Sequence, residues 1–107
     1  MYTNRNTEVA LTILNQLGGN HFVTMTGSKQ FVAGDNYLQM KLARNKSGAN
    51  RLKIELTWRD DYKMTFSQVR VNRRGEFKID ELVEIDGIYF DQLQNVFTEQ
   101  TGLYTSL

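Results

Sequence analysis

The chain contains no cysteine and no proline, only one histidine and one tryptophan, and not one basic residue after Lys78. The missing cysteines exclude a disulfide framework, cysteine-ligated zinc and thiolate catalysis, and they point to a cytoplasmic site. A single histidine leaves only carboxylates as further metal ligands, and these show no ligand spacing, so no metal and no cofactor is expected. No apolar run reaches the ~18 residues of a membrane span. The opening "MYTNRNTEVALTILNQL" is polar before an amphipathic run, which is not the pattern of a signal peptide.

What is present describes a globular chain. Its 107 residues, 40% apolar and 23% charged, suit a single domain, residues 1–107, with a core of its own. Val9, Ala10, Ile13, Leu14 and Leu17 recur at helical spacing, with Asn6 or Thr7 as the cap and Gly18 as the stop. "HFVTMT", residues 21–26, reads as a strand of period two, and "GSKQFVAGDN" as a helical turn or a loop anchored by Phe31 and Val32.

Four more strands follow from alternation in "YLQMKLA", "RLKIELTW", "YKMTFSQVRV" and "FKIDELVEI". Trp58 shares the apolar parity of Leu52, Ile54 and Leu56. Val69 and Val71 change parity against Tyr62, Met64 and Phe66, which predicts a bulge or bend near Ser67 and Gln68. Helical period returns with Leu93, Val96 and Phe97, with Asp86 as the cap and Gly102 as the stop. Tight turns force antiparallel pairing, so the fold class is α+β: a meander sheet of about five strands, with an N-terminal and a C-terminal helix packed on one face.

Catalytic signatures are weak. "TGSK" at residues 26–29 follows an apolar segment, but its glycines and lysine lack the spacing of a nucleotide-binding loop; at most Thr26, Ser28 and Lys29 begin a turn that accepts an anion. His21 is the only group titrating near neutrality, and no partner is tied to it by spacing, so Thr24, Thr26 or Lys29 would have to complete a site. Asp60 and Asp61 sit between strands, where acidic residues form turns. The expected class is therefore not an enzyme.

Charge is the strongest signal outside the core. Residues 41–78 carry +7 and residues 79–107 carry −6, although the whole chain is only +1. Parity sends Lys41, Arg51, Lys53 and Lys63 to the sheet face opposite the core, while Arg44, Lys46, Arg73 and Arg74 fall in two loops. Such a face follows a phosphate backbone, with Tyr37 as a stacking group and Tyr62 as a second whose parity is that of the apolar face, so nucleic acid or a nucleoprotein is the expected partner. The alternative is a solvated sheet face, or an adaptor that binds another protein through the acidic final helix, with Asp86, Asp91 and Glu99 making contact. A homodimer, through an edge strand or the apolar C-terminus "GLYTSL", fits either idea.

The stretches "ILNQLGGNHFVTMTGSKQF", residues 13–31, and "DGIYFDQLQNVFTEQTGLYTSL", residues 86–107, resemble a family of small bacteriophage and prophage proteins with a Leu-Gly-Gly-Asn turn, a Thr-Gly strand end and a closing Thr-Gly-Leu. The resemblance implies a phage or mobile-element origin, and with it the cytoplasm of a host cell as the location and a host nucleoprotein or another host protein among the partners named above. It carries no catalytic residues, and it leaves a host-defence or replication protein as the target of the adaptor reading, in the manner of an anti-CRISPR protein.

Overall fold

A computed structural model describes residues 5–105, with side chains from Glu8 onward. Ser106 and Leu107 of the apolar C-terminus lie outside the described residues. The order is α1 (Arg5–Leu17), α2 (Asn20–Thr26), β1 (Lys29–Ala33), β2 (Tyr37–Lys41), β3 (Arg51–Leu56), β4 (Tyr62–Val71), β5 (Phe77–Ile88), a 3-10 turn (Phe90–Gln92) and α3 (Leu93–Thr101). The five strands form one antiparallel sheet in the order β1-β2-β3-β4-β5. Among the described residues no helix is long and apolar enough to cross a membrane.

Each core position follows from a repeat in the sequence. Ala10, Ile13 and Leu17 fall on one stripe of α1 and are buried against Leu38 and Met40 of β2, Leu52 and Ile54 of β3, and Tyr62, Met64 and Phe66 of β4. Leu93 and Phe97 of α3 close the same core, and Leu103 packs on it beyond the helix end. Gly18 and Gly19 end α1: their amides donate to Asn15 O and Leu14 O, the pattern of a Schellman closure. Gly102 ends α3 in the left-handed conformation, its amide donating to Thr98 O.

Residues 21–26 are a helix, contrary to the strand read from their alternation. In six residues, apolar side chains at 23 and 25 satisfy period two, but burial falls on Phe22 and Thr26, one helical turn apart. The Thr26 hydroxyl donates back to Phe22 O at 2.7 Å, and the Phe22 ring meets Phe97 edge-on at 5.0 Å. Tertiary packing overrides the β propensity of this stretch. The strand it seemed to supply comes instead from "KQFVA", which makes the first edge of the sheet as β1. Asn6 and Thr7 lie inside α1, which begins at Arg5. Asp86 lies in β5, and the 3-10 turn before α3 is capped from Tyr89, whose amide donates to Gln92 Oε1 at 3.0 Å.

Candidate nucleic-acid interface

All helices pack on one face of the sheet, so odd positions of β2, β3 and β4 form a second, helix-free face. Lys41, Arg51, Lys53 and Lys63 project there, as their parity requires. They do not form a uniform basic field. Glu55 lies between Lys53 and Lys63 at 3.7 and 3.9 Å, and Lys63 also reaches Glu84 at 3.3 Å. The bond to Glu84 and the charge of Glu55 hold the Lys63 ammonium above its ordinary 10.5. These residues line a shallow trough of about 350 Å³ with Gln39, Thr65, Ser67, Val69, Ile79 and Glu81.

The expected irregularity near Ser67 is found, but on the partner strand. Phe66 pairs with Val83 and Ser67 with Glu81, so the extra residue is Leu82 of β5. β4 keeps its alternation, which carries Val69 and Val71 onto the helix-free face, opposite Ile79 and Phe77. Glu81 joins them there and is exposed, whereas Val83 and Ile85, beyond the bulge, pack on the core side.

Beyond the body, β4 and β5 continue as a two-stranded arm. Val71, Phe77 and Ile79 are exposed on it, the last two by 73% and 69%. Its reverse face carries Arg70 opposite Lys78, and its turn carries Arg73 and Arg74, all exposed. The turn is built by Asn72, whose Oδ1 accepts from the amides of Arg74 and Glu76 at 2.9 and 3.0 Å. Gly75 supplies the positive φ, 81°. The Glu76 carboxylate accepts from Asn72 Nδ2 at 3.2 Å.

The loop between β2 and β3 is tied to the base of this arm. Asn50 stands in for one more strand residue: its Nδ2 donates to Val69 O at 2.9 Å and its Oδ1 accepts from Val69 N at 2.8 Å. Gln68 Nε2 donates to Gly48 O at 3.0 Å. At the other side of the loop, Lys46 N donates to Thr101 O, and the Lys46 stem covers Gly102. Arg44 and Lys46 are thereby fixed at the sheet end where Lys29, Lys41 and Arg51 lie in one row and the arm projects. Among the described residues, none of these bases has a carboxylate within 4.0 Å. Asn50→Ala should lower stability by about 1–2 kcal/mol, because two backbone groups of β4 lose their partner. Hydrogen exchange at Val69, faster in the variant, checks that the loosening is at the arm's base.

Other expected site residues fall elsewhere. Tyr62 is buried and unavailable for stacking; burial pushes its phenol above 10.0, nearby Gln16 opposes the rise and Asp60 adds to it. Tyr37 is half-buried, with Lys53 Nζ 4.5 Å from its ring centre. Trp58 is 92% exposed, because β3 ends at Leu56 and the turn that follows is closed by Thr57 N donating to Asp61 O. His21 and Lys29 are exposed on α2 and β1, while Thr26 and Ser28 are buried and bonded to each other at 2.8 Å. The expected anion-accepting turn is not formed: Lys29 begins a strand, and the Ser28 amide donates to Thr26 Oγ1.

Asp86, Asp91 and Glu99 do not share one face. Asp86 lies beside Lys63 on the sheet, Asp91 is in the 3-10 turn, and Glu99 lines a depression with Tyr104 and Thr105. Comparison of the chain with protein-family models, curated proteins and solved structures finds no match.

Proposed function

We propose that this protein is a non-enzymatic nucleic-acid-binding module, of phage or mobile-element origin, that follows a phosphate backbone with the basic end of its sheet and with the β4–β5 arm. The observation that carries this reading is the gathering of Lys41, Arg44, Lys46, Arg51, Arg70, Arg73, Arg74 and Lys78 at one end of the molecule. Lys53, Arg59 and Lys63, basic residues nearer the other end, are already matched by Glu55, Asp61 and Glu84. A two-stranded ribbon has the width to enter a major groove, and arginines at its turn reach phosphates or base edges.

The test is fluorescence anisotropy of a labelled duplex and a labelled single strand across a salt series. Arg73→Glu with Arg74→Glu should weaken binding roughly tenfold to a hundredfold at low salt and flatten the log–log salt slope by about 2. Lys53→Gln, which removes an ammonium already beside Glu55, should change affinity by less than about twofold. Absence of binding at about 50 mM salt, or equal affinity in the doubly reversed variant, would sink the reading.

A further inference from the structure

We propose that the outer edge of β5 is a self-complementary interface, through which a second copy of this chain adds its own β5 antiparallel to the first, centred on Ile79. This pairing does not rest on the nucleic-acid reading, although it engages Lys78, one of the bases in that reading. β5 is the last strand of an open sheet, and among the described residues nothing pairs with its outer edge.

The ladder determines which backbone groups are available. Val69 turns its N–H and C=O toward Asn50 on the β3 side, so Gln68 and Arg70 must bond the strand on the other side. Their opposites, Asp80 and Lys78, therefore use their backbone groups on β4, and Phe77, Ile79 and Glu81 point theirs outward. A two-fold axis at Ile79 sets Ile79 against Ile79 of the second copy and Phe77 against Glu81. All of these are hydrogen-bonded positions, giving on the order of six inter-chain backbone bonds.

The side chains agree with that register. Lys78 faces Asp80 of the second copy, twice by symmetry, at the non-hydrogen-bonded positions where side chains approach most closely. Within one chain Lys78 stands directly across from Arg70, a like-charged pair that is unfavourable on its own and that the incoming Asp80 offsets. On the other face Val69 and Ile79 of each copy line up as a row of four branched side chains across the seam. An exposed apolar edge strand left uncovered is an association site.

The test is sedimentation equilibrium of the nuclease-treated full chain over a concentration series. The wild type should dimerise. Lys78→Asp and Asp80→Lys should each weaken self-association roughly tenfold or more, since each variant faces itself with like charge. An equimolar mixture of the two should recover the dimer, because aspartates then meet lysines across the seam. Ile79→Pro should abolish pairing while keeping the fold, since the N–H it removes points away from β4; circular dichroism checks the fold. A wild type that stays monomeric to about 1 mM would overturn the proposal. So would a dimer of undiminished strength in all three variants, or a monomer whose Ile79→Pro variant loses oligonucleotide binding, which would assign this stripe to nucleic acid.

Discussion

Phe22→Ala should lower the unfolding free energy by about 3–5 kcal/mol, measured by urea denaturation. The ring has no solvent exposure and fills the space between α2 and α3, with its centre 5.0 Å from that of Phe97 and the two planes at 70°. Truncation removes the transfer free energy of a whole aromatic ring and leaves a cavity that the short α2 cannot close. It also removes an edge-to-face contact worth about 0.5–1.5 kcal/mol beyond area alone. A domain of this size has about 5–15 kcal/mol in total, so the loss is a large part of the whole. A loss below about 1 kcal/mol would mean that α2 does not dock on α3 as described.

The second large effect is expected at Gly34, between β1 and β2. A methyl group added there would lie 2.0–2.5 Å from three ring carbons of Tyr37. Gly34 is buried and its amide donates to Tyr37 O at 2.9 Å, so the backbone is held while the ring has to leave. Displacing the ring also takes it from Lys53 Nζ. Gly34→Ala should therefore destabilise by about 2–3 kcal/mol, the upper range for overpacking. In a Tyr37→Ala background the same change should cost less than about 1 kcal/mol, and equal costs in the two backgrounds would refute the steric account. The position needs glycine for room and not for an unusual backbone angle.

Much of the architecture was legible where apolar repeats were long. α1 and α3 were readable from Ile13, Leu17, Leu93 and Phe97, and their ends from Gly18 and Gly102. The meander was readable from Leu38 to Phe66, because one face of each strand packs on helices and the other meets water. Residues 21–26 were not, since six residues fit both periods and the packing that favours the helix includes Phe97, 75 positions away. Trp58 misled because parity continues past the strand end, while Thr57 and Asp61 close a turn that leaves the ring outside. The basic residues of the sheet face were placed correctly, yet the neutralisation of Lys53 and Lys63 was invisible: Glu55 and Glu84 meet Lys63 only through cross-strand register. The convergence of Arg44 and Lys46 with Arg73 and Arg74 at one end also needed the fold, because it depends on Asn50 joining the loop to β4.

The strand order has a kinetic consequence. Every sheet neighbour is also a sequence neighbour, so each ladder closes a short loop and can form early. The packing of α3 against α1 and α2 is different, because it joins opposite ends of the chain. Until α3 has been made, a partly synthesised chain holds a sheet whose apolar side is only half covered. Completion of the core thus waits until α3 follows the whole meander, and the nascent meander is the species that chaperones would meet.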